Sequence, residues 1–575
     1  MKILKTLFAF LLFGVMSTSL FAQNPYLVKD IYPGAVESRP VGGTGLNGIF
    51  YFSSDNGVFG REMWRSDGTD AGTYIVKDIH PNNPTGWGVQ MVYNVNNLLY
   101  FSGNDGKNGQ EPWKSNGTAN GTTMIKNIAP SSGSSQPNHW TLSGNIIYFN
   151  PCPLNQDWQI WKTDGTSAGT VLIKNINKKG NDAASYFHDV NGTLFFWADN
   201  GSTGIELWKS NGTTSGTVMV KEIRPGISSS YPSGFPRPSY YTPVTFDWTK
   251  ELAVGSIYYF TADDGSNGAE LWKSDGTSGG TVMVANINSL AGSYPHWLTQ
   301  MGNYLYFSAN DGTSGYELWS LNLSNGTVSL VSDLNAQSGS YPMQLTVVND
   351  LLYFSADDGV NGRELWRYDA VNPPVAVTNL NGSEKGVYDS TYFRMANVLT
   401  YHYRFPSYNG TVFFEANDGT TGWELWQYHP ASGVSLVKDI NPGMAKSRLE
   451  GPCIVDTKLF FTADDGIHGR ELWCYDMSQP INAPMVVETM QSDNYKIDFY
   501  PNPASESLTI SGEFKNNVNL NIKIFDLLGY EIMNTEKSSV SRISEQIDIS
   551  GYPAGMYIIN FRFNGQSVQQ KFIKK

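Results

Sequence analysis

Residues 259–284, YFTADDGSNGAELWKSDGTSGGTVMV, decide the fold because this stretch recurs along the chain. Its tryptophan, Trp272, has eight counterparts, which are Trp64, Trp113, Trp161, Trp208, Trp319, Trp366, Trp426 and Trp473. Successive tryptophans lie 49, 48, 47, 64, 47, 47, 60 and 47 residues apart, so a unit of 47 or so residues carries two insertions. A period of that length, filled with strand and turn residues, is typical of β-propeller blades and not of helical repeats.

Each unit contains four candidate strands, which we call a, b, c and d. In the seventh unit they cover residues 344–348, 351–356, 364–368 and 375–380. Asn, Asp and Gly fill most of the turns between such strands, and these residues tolerate the positive φ that hairpin turns require. Strand b is apolar on both faces, as residues 351–354, LLYF, illustrate. This pattern predicts a strand that is covered by neighbouring blades on both sides.

The two ends of the repeat array complement each other. Residues 28–31 read VKDI, a form that strand d takes in several units, before any complete unit has begun. The ninth unit reaches Trp473 and then runs into a linker without a strand d of its own. We therefore predict an all-β protein with a β-propeller of nine four-stranded units, closed by the strand at residues 26–31. Because propellers usually have about four to eight blades, two smaller propellers are the alternative.

The first 22 residues have the layout of a secretory signal peptide. Lys2 and Lys5 precede or border an apolar run at residues 7–15, and small residues lead to a cleavage site near Ala22. The run is shorter than the roughly 20 residues that a membrane-spanning helix needs, and no later segment has the length and apolarity to span a bilayer. We expect residues 1–22 to be removed, with no transmembrane segment after cleavage.

The composition and the net charge indicate where the protein acts and exclude some classes of partner. The chain is 13% aromatic, with 58 glycines and only 16% charged residues, which favours an extracellular all-β protein. A formal net charge of −13 argues against nucleic acid and anionic membranes, because both attract basic patches. Cys152, Cys453 and Cys474 are too few for a disulfide framework, so we expect free buried thiols.

The sequence of the repeat unit is similar to that of a known repeat. Residues 270–277, ELWKSDGT, resemble the ELWxxDGT repeat of secreted bacterial proteins, and the resemblance covers residues 25–478. The third copy has Gln159-Ile160-Trp161 instead, and the sixth to ninth copies lose the Asp-Gly-Thr turn. The resemblance implies an extracellular repeat architecture and no established activity.

The C-terminal region forms a separate domain, residues 495–575, after a linker at 479–494. Four ordered segments, FYPNPA at 499–504, IFDLLG at 524–529, GMYII at 555–559 and KFIKK at 571–575, resemble the type A sorting domain of type IX secretion cargo. Alternating apolar residues separated by Gly and Pro turns predict a small immunoglobulin-like β-sandwich, for which an ordinary adhesive domain is the alternative.

By this resemblance the sorting signal contains Pro501, Asn502, Pro503, Gly529, Gly555, Tyr557, Lys574 and Lys575. It implies the type IX secretion machinery as a partner. It also implies a secreted or cell-surface location, across the outer membrane of a Gram-negative bacterium.

The most repeated polar pattern, DDGxxGxE, has two interpretations. Asp263, Asp264 and Glu270 could form a calcium loop, since clustered carboxylates supply the oxygen ligands that calcium prefers. Alternatively, they accept hydrogen bonds from backbone N–H groups in the b–c turn. The spacing does not match an EF-hand, and Asn replaces the first Asp in other copies, so we favour the turn and predict no cofactor.

Aromatic residues mark the d-to-a connections, which emerge with the b–c loops on one face of the ring, here called the loop face. They are Trp87, His139, Trp140, Tyr231, Tyr294, His296, Trp297 and Tyr341. Two insertions, residues 228–254 and 382–408, fall on the same face and are rich in Tyr and Pro. Such loops are where repeat proteins usually bind partners, here an extracellular glycan or protein. The alternative is that these rings plug the central channel.

No catalytic residues stand out. The seven histidines lack metal-ligand spacing, no Gly-x-Ser-x-Gly motif occurs, and the carboxylates are repeat elements. The sequence therefore favours an exported binding or adhesion protein. The alternative is a polysaccharide-active enzyme, a glycosidase or lyase, with its site in the inserted loops.

Overall fold

The computed structural model describes residues 24–478 except 82, 84–85, 87, 131–132, 153–156, 232–250 and 381–403, and residues 488–574 except 493–494, 501–506, 527–529 and 554. The chain divides into two compact units, one formed by Asn24–Ser478 and one that contains Gln479–Lys575. The described residues contain strands and turns and no helix.

The first unit consists of nine antiparallel sheets of four strands each. The chain begins with β1 (Tyr26–Lys29) and then forms eight complete blades. Blade 1 contains β2 (Val41–Leu46), β3 (Ile49–Asp55), β4 (Arg61–Ser66) and β5 (Tyr74–Lys77), and blade 2 contains β6 (Val89–Val95), β7 (Leu98–Asn104), β8 (Gln110–Ser115) and β9 (Thr123–Met124). Blade 3 contains β10 (Asn138–Ser143), β11 (Ile146–Asn150), β12 (Ile160–Thr163) and β13 (Val171–Lys174), and blade 4 contains β14 (Ser185–Val190), β15 (Thr193–Asp199), β16 (Ile205–Ser210) and β17 (Val218–Lys221).

Blades 5 to 8 repeat this order of strands a to d. Blade 5 contains β18 (Glu251–Val254), β19 (Ile257–Asp263), β20 (Ala269–Ser274) and β21 (Val282–Ala285), and blade 6 contains β22 (His296–Met301), β23 (Tyr304–Asn310), β24 (Tyr316–Asn322) and β25 (Val328–Ser332). Blade 7 contains β26 (Met343–Val348), β27 (Leu351–Asp357), β28 (Arg363–Tyr368) and β29 (Val375–Ala376), and blade 8 contains β30 (Ser407–Tyr408), β31 (Thr411–Asn417), β32 (Trp423–His429) and β33 (Gly433–Lys438).

Blade 9 is completed by the N-terminal strand, as the sequence predicts. Its own strands are β34 (Glu450–Val455), β35 (Lys458–Asp464) and β36 (Arg470–Asp476), and β1 pairs antiparallel with β36. In that register Tyr26 lies opposite Cys474 and Leu27 opposite Trp473. The prediction of nine blades with an N-terminal closing strand is confirmed.

An apolar cluster lies between every successive pair of blades, so the nine sheets form one ring and not two propellers. The cluster that joins blades 9 and 1 contains Phe50 and Phe460, whose rings stack at 4.9 Å. Strand b is covered on both sides, since Tyr353 packs toward blade 8 and Phe354 toward blade 6. Burying large aromatic rings in this way is the main stabilisation of each blade interface.

Lysines at the end of strand d donate hydrogen bonds to backbone carbonyls of the next blade at the outer edge of the ring. Lys221 in blade 4 donates to the Thr281 carbonyl of blade 5 at 2.8 Å, and its Nζ lies 5.8 Å from the ring centroid of Trp272. Lys29 of the closing strand donates to the Asp70 carbonyl of blade 1 at 3.2 Å. Lys438 of blade 8 donates to the carbonyl of Pro25, the residue before β1, at 2.8 Å, so the N-terminal segment contacts both blades that flank blade 9.

The second unit is a six-stranded antiparallel sheet that folds back on itself. Its strands are β37 (Glu488–Ser492), β38 (Tyr495–Tyr500), β39 (Ser507–Phe525), β40 (Glu531–Asp548), β41 (Gly555–Phe563) and β42 (Gln566–Lys574). The first half of β39 pairs with β38 and the second half with β41, while β40 follows the other edge. Both halves direct alternate residues, from Leu508 to Ile524, into one core that also contains Phe563. The two-layer packing agrees with a small sandwich, but the long shared strands were not predicted.

Candidate functional site

The glutamate of each ELW motif is buried and holds the d-to-a connection in place. Glu270 accepts hydrogen bonds from the N–H groups of Ile287 (3.1 Å), Asn288 (3.2 Å) and Ser293 (3.1 Å), and from Ser293 Oγ (2.5 Å). Burial raises the pKa of Glu270. The counterparts with the same role are Glu62, Glu111, Glu206, Glu317, Glu364, Glu424 and Glu471. These carboxylates therefore shape the loop face from inside the blades.

The third blade, which has Gln159 at this position, uses a different carboxylate. Asp182 is buried and accepts from the N–H groups of Ile176 (3.0 Å) and Asn177 (2.5 Å). Gln159 instead donates to Asp157 at 2.8 Å. The departure from the repeat is compensated within the same blade, so the connection keeps its anchor.

The three calcium candidates lie in and after the b–c turn of blade 5. Asp263 accepts from the Gly265 N–H at 2.7 Å and from Arg224 at 2.5 Å, and Asp264 accepts from the N–H groups of Ser266 (2.9 Å) and Asn267 (2.8 Å). Glu270 is turned into the blade, as described above. In the described part of the chain, no three His, Cys, Asp or Glu side chains are grouped so as to hold a metal ion.

Four of the eight aromatic candidates occupy two recurring left-handed positions at the start of strand a. In blade 6 these positions are Tyr294 (φ 47°) and Trp297 (φ 60°), and in blade 7 they are Tyr341 (φ 49°) and Gln344 (φ 59°). The strand a to strand b register shifts across the second position, between His296 and Thr299 in blade 6 and between Met343 and Thr346 in blade 7, which is the signature of a β-bulge. His139 occupies the second position in blade 3. Because the bulge recurs in blade after blade, these positive φ angles belong to the architecture.

The structure separates the candidates by burial. Trp140, Tyr231 and Trp297 are buried in apolar clusters between blades, where their rings contribute to packing. His139 and His296 are half-buried, and burial lowers the pKa of each to about 4, so both are neutral. Trp87 lies outside the described residues.

Four side chains come together on the loop face at blades 6 and 7, and we call them the tyrosine group: Tyr294, His296, Tyr316 and Tyr341. The Tyr316 ring lies 5.3 Å from the His296 ring and 5.4 Å from the Tyr341 ring, between centroids. Burial, and then the neighbouring Tyr294 and Tyr341, raise the pKa of Tyr316 to about 12. Tyr341 is 46% exposed, so the group presents an uncharged aromatic surface to solvent.

A buried polar cluster at the inner strands of blades 4 and 5 was missed by the sequence analysis. Glu251, the first residue of β18, accepts from Trp197 Nε1 at 2.6 Å and lies 2.7 Å from His188 Nε2. Trp197 and Glu251 are 54 residues apart in sequence, in different blades. Both residues depart from the repeat, and the Glu251 carboxyl accepts the hydrogen bond that the buried Trp197 indole N–H donates.

Glu415 is a second residue that the sequence analysis missed. It stands in strand b opposite Leu425, where six of the other blades have Ser or Thr: Ser53, Ser102, Thr261, Ser308, Ser355 and Thr462. Burial raises the pKa of Glu415 to about 8. An alignment of the nine copies against one another would have exposed this substitution.

The sorting-signal residues that the structure describes lie in the last two strands. Gly555 pairs with Lys574, and Tyr557 pairs with Phe572, on whose ring it stacks at 5.4 Å. Pro501, Asn502, Pro503, Gly529 and Lys575 lie outside the described residues.

Residues 498–575 match the family described as the secretion system C-terminal sorting domain. The C-terminal unit is therefore a secretion sorting domain. This match confirms the prediction for that part of the chain and indicates a secreted or cell-surface protein. No curated protein matches the chain in sequence.

Solved structures that resemble this chain are distant from it. A puromycin-hydrolysing peptidase of Mycobacterium tuberculosis is 9% identical, with a TM-score of 0.34, over 84% of this chain and 61% of that chain. Oligopeptidase B of Leishmania major is 10% identical, with a TM-score of 0.35, over 70% of this chain and 55% of that chain. Sqt1 of Saccharomyces cerevisiae is 12% identical, with a TM-score of 0.32, over 66% of this chain and 93% of that chain.

The chain spans less than two thirds of the length of the two peptidases, and values this low say nothing about its activity. No helix that could cross a membrane occurs in the part of the chain that the structure describes.

Proposed function

We propose that this protein is an exported binding protein that holds an extracellular glycan on the loop face of its propeller. The tyrosine group is the observation that carries the proposal. Export rests on the sorting domain at residues 498–575, and the signal peptide at residues 1–22 would provide the first step of the same route.

The chemistry of the tyrosine group favours a neutral ligand with many hydroxyl groups. None of its four side chains is charged near pH 7, since the pKa of His296 is about 4 and that of Tyr316 about 12. Tyrosine combines a flat apolar ring with a hydroxyl that both donates and accepts, which suits the apolar faces and hydroxyls of a sugar. Exposed tyrosines held rigidly by a scaffold also lose little conformational entropy on binding.

The experiment is a binding screen of the full chain against neutral and acidic oligosaccharides, followed by Tyr341→Ala. We expect a neutral glycan to bind and Tyr341→Ala to weaken it at least tenfold. Tyr74→Ala is the matched control, because Tyr74 is 47% exposed but lies on the outer strand d of blade 1. Equal effects of the two substitutions would show that the tyrosine group is not the site.

The same screen decides between binding and catalysis. Retention of the glycan without change supports a binding protein. New reducing ends or unsaturated products would instead support the polysaccharide-active enzyme, and binding of a protein partner alone would move the function from glycan capture to adhesion.

A further inference from the structure

A cavity of about 120 Å³ lies at the inner strands of blades 8 and 9, with blade 7 at its edge. Its walls are mainly apolar and include Phe405, Phe414 and Phe461, and its polar lining residues are Gln344, Arg404, Glu415 and Glu450. An engineered cavity of about 150 Å³ accommodates a benzene molecule, so this one has room for a small organic ligand. It is separate from the tyrosine group, which lies at blades 6 and 7.

Hydrogen-bond acceptors dominate the polar part of this cavity. Glu415 and Glu450 contribute carboxyl groups. Gln344 Oε1 is buried and, among the described residues, has no hydrogen-bond donor within reach. A buried acceptor without a donor destabilises the folded protein, and a ligand that donates a hydrogen bond to it would recover that loss.

Two arginines near the cavity donate to groups outside it. Arg404 donates to the carbonyls of Leu298 (3.0 Å) and Leu345 (2.7 Å) and to Thr299 Oγ1 (2.9 Å). Arg470 lies between Glu450 (2.6 Å) and Glu37 (2.8 Å). With Glu415 ionised, the described polar lining therefore offers mainly acceptors, and the aromatic rings around the cavity favour a donor that carries positive charge.

Glu415 places a carboxyl group in this blade interface at a strand b position that is Ser or Thr in six other blades. The pKa of Glu415 is raised to about 8, chiefly by burial; Lys446 and the Leu449 N–H lower it, and the nearby carboxyls of Glu424 and Glu450 raise it. Arg404 and Glu450 are the other charged residues that line the cavity. Near pH 7 the carboxyl is mostly protonated, and a bound cation would favour its ionised form.

We propose that this cavity binds a small organic amine in its protonated form, with Glu415 as the counter-ion and phenylalanine rings around the carbon chain. Gln344 and Glu450 accept the remaining ammonium hydrogens. Binding releases the Glu415 proton below pH 8 or so, while a simple alkylamine stays protonated because its pKa, like that of lysine, is about 10.4. Affinity consequently rises about tenfold per pH unit between pH 6 and pH 8 and then levels off.

The test is calorimetric titration of the full chain with n-butylamine at pH 6, 7, 8 and 9, with 1-butanol as the uncharged ligand of the same shape. We expect saturable one-to-one binding of n-butylamine, with the pH dependence given above, and at least tenfold weaker binding of 1-butanol. Glu415→Thr reproduces Thr462 of the next blade and should remove the preference for the amine; Glu415→Gln, which keeps the shape, should do the same.

Absence of n-butylamine binding, equal binding of the two ligands, or unchanged amine affinity in a folded Glu415 variant would overturn the proposal. Tyr341→Ala should leave amine binding unchanged. Failure of the amine site is thereby distinguishable from failure of the glycan site, since each has its own variant and its own ligand.

Discussion

Ser38 and Glu471, which are 433 residues apart in sequence, are joined by two hydrogen bonds. The Ser38 N–H donates to Glu471 Oε1 at 3.0 Å and Ser38 Oγ donates to Glu471 Oε2 at 2.6 Å. Within blade 6 the equivalent pair, Ser340 and Glu317, makes the same two bonds at 2.7 and 2.5 Å across only 23 residues. The closure of the ring therefore uses the same contacts as an internal repeat.

This equivalence predicts that Ser38→Ala and Ser340→Ala destabilise the propeller by similar amounts. Each substitution leaves a buried carboxylate with one donor fewer, which costs about 1–3 kcal/mol. Chemical denaturation followed by intrinsic tryptophan fluorescence measures the free energy of unfolding of both variants. If Ser340→Ala were costly and Ser38→Ala neutral, the closing contact would not persist in solution.

A second prediction concerns the closing strand itself. Deleting residues 25–31 removes β1, the Ile31 N–H that donates to Glu471 at 3.0 Å, and the Lys29 contact with blade 1. The edge of β36 and the apolar side chains of the cluster around Phe460 then lose their cover. We expect a lower unfolding temperature for the propeller in scanning calorimetry, with the transition of the C-terminal unit unchanged. An unshifted propeller transition would contradict the role of β1.

The repeat pattern was sufficient to predict the blades and their closure, because the same short-range signals occur nine times. Turn residues, the apolar strand b and the missing ninth strand d are visible in single copies or in a comparison of the two ends. The bulge at the start of strand a was not predictable in this way. Its left-handed positions hold residues as different as Tyr294 and Gln344, and no residue type marks them.

The site residues were harder to predict because they depart from the repeat singly or in pairs from different blades. Glu251 is understood only with Trp197 of the preceding blade, and Asp182 only with the loss of the usual glutamate at Gln159. The aromatic candidates share a place in or next to the d-to-a connections, yet Trp140 and Trp297 are buried between blades. Sequence position placed them near the loop face, but burial depends on which way each side chain leaves the bulge.

Removing calcium should not change the stability of the propeller, which is the third prediction. The Asp263 and Asp264 oxygens accept hydrogen bonds from turn N–H groups and from Arg224, so the turn is formed without a metal. Thermal unfolding with EDTA and with millimolar calcium should give the same midpoint. A midpoint that rises with calcium and falls with EDTA would restore the calcium-loop interpretation.

The buried glutamates predict how the stability of the propeller depends on pH. Burial raises the pKa of Glu62 to about 8 and those of Glu206 and Glu471 to about 7, above the ordinary value of 4.5. The folded state therefore holds more protons than the unfolded state between pH 4.5 and pH 7–8, and stability falls as pH rises through that window. The slope is at most about 1.4 kcal/mol per pH unit for each such group.

Glu62→Gln tests this account because glutamine keeps the shape and cannot ionise. We expect the variant to gain stability relative to the natural protein as pH rises from 5 to 8, with little further gain above pH 8. Glu531→Gln is the control, since Lys523 lowers the pKa of that carboxyl and it titrates below this window. Denaturation at pH 5, 6, 7 and 8 measures the difference, and a constant difference across that range would show that Glu62 is ionised in the folded protein throughout.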